Sequence, residues 1–384
     1  MPTPLRRRFE AAALILLGSA ILTGCSTPSD RLPGDNRRAL CPLPALPSGH
    51  TPGDPAIVAA LFAADGIRLT PEQTGILLPA AAREGRMDRN ALRRTAWEHQ
   101  RIPLPVPADE TGLWRELGNN HPLMILLPPG PENRSFTAHI PVAWNRTRGT
   151  LDLLNGDGTV RTLPDKAFFD RRVLLRHAAL RLARPGDLHR RASDREELLP
   201  LADYWFHRGY LRRADAVYAR LLAHHPDDLD ALIGRGNVQV RRGRPSRAIP
   251  MYESALAMDP ANPRILNNLA HARLHAGDDL SRAMGLAGQA LQLDPGNPLF
   301  LETAGSLHLR TGDADEAARL LERAWAQAGP QPPPVQTAIL DQLIRAWMAA
   351  GRPDLARQVA DHRRRAHPGI PLPRDIRKAL ARIP

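Results

Sequence analysis

Lysine is nearly missing from this chain. Lys166 and Lys378 are the only two among 52 lysines and arginines, so the formal net charge of +12 is an arginine charge. Cysteine is equally scarce: Cys25 and Cys41 stand alone, too few for a disulfide framework. Aromatic residues make up 4% of the 384 positions, which leaves little for the base-stacking platforms of a single-strand nucleic-acid binder. The long apolar run Ala11–Leu22 is too short to span a bilayer. No pairing of His, Cys, Asp and Glu has zinc-site spacing, and no glycine-rich loop is of the phosphate-cradling kind. Neither a metal nor any other cofactor is therefore expected. His224-His225 lies at a repeat boundary and reads as a solvated dyad. A chain of this length exceeds one ordinary core and divides into two domains.

What the chain does have is a period. Ala214, Tyr218 and Pro226 return 34 residues later as Ala248, Tyr252 and Pro260. Each landmark has a physical job. Alanine lets two helices approach closely, and tyrosine four residues on fills space on the same face. Proline ends the second helix, because it lacks an N–H and clashes with the preceding turn. Gly209 and Gly243 sit where the two helices of a unit join, as a helix C-cap requires. One residue is inserted at Gly277–Ser281, after which Ala283, Ala290 and Pro295 follow, then Gly312, Ala317, Leu321 and Ala324. A last unit shows Gly351, Ala356, Ala360 and Pro368, and residues 373–384 form an amphipathic cap with Ile376, Leu380 and Ile383 on one side.

This spacing resembles the tetratricopeptide repeat family over residues 195–384, about five units. The resemblance implies an all-α solenoid whose units stack because none can bury its apolar face alone. It also implies a protein or peptide partner on the inner face of each unit's first helix. In this sequence that face is expected to carry Asn237, Arg241, Asn267, His271, His275, Ser306 and Arg310.

The N-terminus reads as a signal peptide over residues 1–24. Arg6-Arg7-Arg8 precede the apolar run, which ends in Leu22-Thr23-Gly24-Cys25. That tetrapeptide resembles a bacterial lipobox, which implies lipid on Cys25 and a membrane-anchored mature chain. By resemblance to sorted lipoproteins, Ser26 implies the outer membrane, facing the periplasm. Loss of residues 1–24 would remove three arginines and one glutamate, taking +12 to about +10. Export also makes nucleic acid a poor partner, and the basic surface suits anionic headgroups or acidic proteins. Residues 25–52 are Pro-, Ser- and Gly-rich and read as a flexible tether.

Residues 53–190 carry another pattern. Pro55–Asp65 reads as a buried helix, Thr70-Pro71-Glu72 as a turn, Asp88–Gln100 as a second helix, and a third begins near Glu110. The apolar run 122–127, then His139–Trp144 and Thr150–Leu154, are strand candidates, and Asn155-Gly156-Asp157-Gly158 is a hairpin signal. Helices followed by an antiparallel meander define an α+β domain.

The helix Pro55–Asp65, the run at 118–127 and the strand–turn–strand at 139–163 resemble papain-like cysteine peptidases that process double-glycine leaders. In that family a thiolate at the helix N-terminus is paired with a histidine, oriented by Asp or Asn. Aligned on the shared Pro-Ala, Gly53 occupies the cysteine position here and no glutamine precedes it. His139 falls two positions late, leaving Thr137 at the family site, and Asn155 or Asp157 stands at the orienting position. The whole chain is thus expected to join a degenerate papain-like domain to a repeat solenoid, as a non-catalytic, lipid-anchored binding scaffold. The alternatives are an active thiol peptidase using Cys41 with His139, and a purely structural envelope assembly factor.

Overall fold

The computed structural model describes residues 37–39, 54–77, 89–106, 116, 121–127, 137–145, 147–172, 179–192, 194–329 and 331–382. The chain divides into two compact units, with the boundary in sequence between Leu201 and Ala202. The signal peptide, Cys25, Cys41 and Gly53 lie outside the described residues.

The first unit is built on α1 (Asp54–Ala63), whose sequence DPAIVAALFA has no polar face. Such a helix has to be covered on all sides. Ile57 to Phe62 are each no more than 1% exposed, packed with residues of α2 (Pro71–Leu77), α3 (Arg89–Glu98) and the sheet. Thr70-Pro71-Glu72, expected as a turn, is instead the start of α2. Thr70 Oγ1 accepts from Gln73 N at 3.2 Å and Gln73 Oε1 accepts from Thr70 N at 2.9 Å, a reciprocal cap.

Seven antiparallel strands form the sheet. They are β1 (Arg37–Ala39), β2 (Ile102–Val106), β3 (Leu123–Leu127), β4 (Thr137–Asn145), β5 (Thr150–Leu154), β6 (Val160–Pro164) and β7 (Ala179–Ala183). Their order is β2-β7-β3-β4-β5-β6, and β1 pairs with the far end of β4, Arg37 opposite Asn145. The segment read as wholly flexible therefore contributes a strand. Helix α4 (Asp165–Arg172) follows β6, and α5 (Pro185–Arg191) follows β7. Pro103 and Pro105 sit in β2 because it is an edge strand, where a missing N–H costs no ladder bond.

Buried Arg181, at the centre of β7, is held by Glu116 Oε2 at 3.0 Å and Glu197 Oε1 at 2.7 Å. Two carboxylates supply the countercharge that a buried guanidinium needs.

Helix α6 (Arg195–His207) crosses the boundary into the second unit. There follow α7 (Leu211–His224), α8 (Leu229–Arg241), α9 (Pro245–Met258), α10 (Pro263–Ala276), α11 (Leu280–Leu293), α12 (Pro298–Thr311), α13 (Ala314–Ala326), α14 (Pro333–Ala349), α15 (Pro353–Ala366) and α16 (Arg374–Leu380). From α6 to α15 the helices form consecutive pairs, closed by α16, whose Ile376 is buried. Ala214, Ala248, Ala283, Ala317 and Ala356 are fully buried where paired helices touch. The turns at Gly209, Gly243, Gly277, Gly312 and Gly351 all take positive φ, which glycine adopts without a Cβ clash. The inserted residue leaves Asp279 at φ +38°, and its carboxylate caps α11 by accepting from Arg282 N at 3.0 Å.

Candidate functional site

First helices of successive pairs touch one another: α8 meets α10, α10 meets α12 and α12 meets α14. Second helices of successive pairs touch less. The stack is thus compressed on the first-helix side, which is the concave side.

Equivalent positions line up along that side at intervals of 34, 34 and 35 residues. One column is Asp203, Asn237, His271 and Ser306, and four residues on runs His207, Arg241, His275 and Arg310. A third column contains Ile233, Asn267 and Glu302.

These positions do different jobs. Asn237 belongs to the packing: its Oδ1 accepts from Tyr252 Oη at 2.7 Å and from Asn268 Nδ2 at 3.3 Å. One repeat earlier, Tyr218 Oη donates to Asp203 Oδ1 at 2.5 Å. Arg241 lies over the Phe206 ring, 4.6 Å from its centroid, and donates to Phe206 O at 3.0 Å. Ser306 is buried and donates to Glu302 Oε1 at 3.0 Å. Arg310 is exposed.

Asn267 is 7% exposed, and its buried Oδ1 has no hydrogen-bond partner among the described residues. His271 and His275 face each other with their Nε2 atoms 3.0 Å apart. Burial, reinforced by the neighbouring imidazole, takes His271 down to about 4, and burial lowers His275 as well. Burial raises Glu302, partly opposed by its bond from Ser306. Sequence reasoning missed Glu302, although it stands one repeat beyond Asn267 in the same column.

In the first unit, His139 lies on β4 between two partners. Its Nδ1 is 2.9 Å from Asn155 Oδ1, and its Nε2 is 2.7 Å from Thr137 Oγ1. Since the amide oxygen only accepts, Nδ1 carries the proton in that bond and the imidazole is oriented by Asn155. Asp157 does not join them. It accepts from Thr159 N and Thr159 Oγ1, which together hold its carboxyl below the ordinary range. Among the described residues no group of three or more His, Cys, Asp or Glu is placed to hold a metal. No helix among them is long and apolar enough to cross a membrane.

Paired helices repeating at this period, with polar columns along one face, define a helical-repeat protein. Residues 199–263 and 234–298 match one model of the tetratricopeptide repeat and residues 278–340 another. The second unit therefore carries tetratricopeptide repeats.

No curated protein matches the sequence. Solved structures similar to it include TTC0263, a thermophilic repeat protein of this family from Thermus thermophilus. It is 20% identical over 48% of this chain and 95% of that one, with a TM-score of 0.40. PilW, a type IV pilus biogenesis factor, is 22% identical over 48% of this chain and 84% of its own, with a TM-score of 0.42. The Cut9–Hcn1 hetero-tetramer of the APC/C matches at 17% identity over 51% of this chain and 38% of that one, with a TM-score of 0.46.

Proposed function

We propose that this protein is a lipid-anchored scaffold at the outer membrane, facing the periplasm, that holds a protein or peptide partner along the concave face of its repeats. Tetratricopeptide repeats as a class mediate contacts between proteins. The observation that carries the reading is the set of polar columns on that face, among them exposed Arg310 and His275. The basic n-region, apolar run and Leu22-Thr23-Gly24-Cys25 support lipid on Cys25, and Ser26 supports the outer membrane. The first unit acts as a degenerate papain-like domain: it orients a histidine with Asn155, yet Gly53 stands at the nucleophile position.

A photoreactive amino acid at Arg310 or His275, in the native envelope, should cross-link a discrete partner, whereas one at Leu293 on a second helix should not. Equal labelling from both faces would overturn the groove reading. Metabolic fatty-acid labelling should mark the chain and vanish in Cys25→Ser; labelling that survives this change removes the anchor.

A second reading is favoured by one observation. Strand β1 runs antiparallel to β4 and advances toward its His139 end, with Cys41 two residues beyond Ala39 in sequence. A thiol peptidase using Cys41 with His139 would lose thiol-dependent peptide hydrolysis in Cys41→Ser, whereas the scaffold reading expects no such hydrolysis from either protein.

A further inference from the structure

The tyrosine column breaks at the third helix pair. Tyr218 and Tyr252 each give a hydroxyl proton to the first-helix residue of their own pair, Asp203 or Asn237. In the third pair the tyrosine position is Ala287, so His271, in the column of Asp203 and Asn237, has no phenol beside it. It turns instead to His275, one helical turn on, and the rings stand 4.3 Å apart between centroids.

We propose that His271 and His275 chelate one divalent transition-metal ion through their Nε2 atoms, on the concave face of α10. The separation of these atoms carries the inference. Metal–imidazole bonds of about 2.0–2.1 Å, at angles from square to tetrahedral, place two nitrogens on one ion roughly 2.9–3.3 Å apart. The observed Nε2···Nε2 distance is 3.0 Å. The two nitrogens already stand at the separation one ion requires; the rings need only turn from facing each other to aim both lone pairs at it.

The protonation state agrees. Both rings are biased toward the neutral form that coordinates metals, His271 strongly so. Without metal one Nε2–H donates to the other Nε2. On binding, that proton leaves through solvent and the ring is reprotonated at Nδ1, so two lone pairs face the ion with no net change of charge on the protein. Two imidazoles favour Cu2+ and Ni2+ over Mg2+ or Ca2+. No third side chain among the described residues completes a cluster, so water fills the remaining positions. The site stands whether or not the groove holds a partner.

Ni2+ titrated into the full chain tests this, since it spares Cys41 from copper oxidation. Calorimetry should show one ion bound most tightly, weakened at least about tenfold in His275→Gln and His271→Asn through loss of one of two ligands. Affinity should be unchanged in the control His224→Ala/His225→Ala. His275 is exposed, so its replacement leaves the helix pair folded, as circular dichroism would verify. Substoichiometric Ni2+ should also broaden the ring resonances of His271 and His275 before those of any other histidine. Wild-type affinity in His275→Gln, loss of the tight site with His224 and His225, or first broadening elsewhere each overturns the proposal.

Discussion

Tyr252 donates its phenolic proton to Asn237 at 2.7 Å, tying the second helix of a pair to the concave face of the first. The ring of Tyr252 lies so close to α8 that a Cβ on Gly236 would come within 2.5 Å of it. Hydroxyl and ring therefore make separable contributions. Tyr252→Phe should cost about 1 kcal/mol, the net worth of one hydrogen bond. Tyr252→Ala should cost about 3–5 kcal/mol, the range for emptying an aromatic core site. Urea denaturation of the full chain measures both, and equal losses would show that the hydroxyl and not the ring holds the pair.

Glycines in the helices divide by what their missing side chain would meet. On α11, a Cβ at Gly285 or Gly288 meets nothing within 4 Å. Either glycine replaced by alanine should stabilise by about 0.5–1 kcal/mol through helix propensity. Gly236→Ala should destabilise, because the added carbon would strike the Tyr252 ring. Stabilisation by Gly236→Ala would contradict the close packing described here.

Asp279 combines a left-handed backbone with a cap. Asp279→Ala should lose both the hydrogen bond to Arg282 N and the local tolerance of that conformation, for a total of about 1–2 kcal/mol. Asp279→Gly should cost less, because glycine relieves the backbone while still losing the carboxylate. The reverse ranking in thermal unfolding would show that the left-handed backbone carries no cost at this position.

Acid should weaken the repeats through His271. Its folded value of about 4 lies below the ordinary 6.5, so the folded state binds fewer protons than the unfolded state between these values. Stability contributed by the neutral ring is present above pH 6.5 and lost as pH falls toward 4. His271→Asn, which places at this position the residue type of Asn237, should flatten stability across that window. An unchanged slope assigns the acid response to other groups.

Glu302 has the opposite sign. Burial raises it above the ordinary 4.5, so the folded state holds the proton more tightly and loses stability as pH rises from 4.5 through the raised value. Glu302→Gln should therefore raise the midpoint of thermal unfolding at pH 7.5 and have little effect at pH 4. A destabilised Gln variant at pH 7.5 would mean that the charged carboxylate makes a contact worth more than its burial costs.

The repeats could be read from sequence because their constraints are local and periodic. Ala214 and Ala248 must be small, Gly209 and Gly243 must turn, and these needs recur at a fixed spacing whatever the rest of the chain does. The sheet was harder. Pro103 and Pro105 hid β2, since only its place at the edge makes proline acceptable there. Arg181 hid β7, because its burial depends on Glu116 and Glu197, both remote in sequence. On the concave face, Asn237 looked available for a partner until the hydroxyl of Tyr252 claimed it. Asn155 and Asp157 were equivalent turn residues by spacing, and only the fold brings Asn155 alone to His139.

Asp203, Asn237, His271 and Ser306 occupy one column, yet no two of them offer the same chemistry. A regular solenoid is a lattice, and a uniform lattice lets an extended chain slide by one repeat at no cost. Here each step of such a slide exchanges a carboxylate for an amide, an amide for an imidazole, or an imidazole for a hydroxyl. If the proposed groove holds an extended segment, that segment would meet a different side chain at each repeat in every frame but one, even though Asp203, Asn237 and Ser306 already hold partners within the stack.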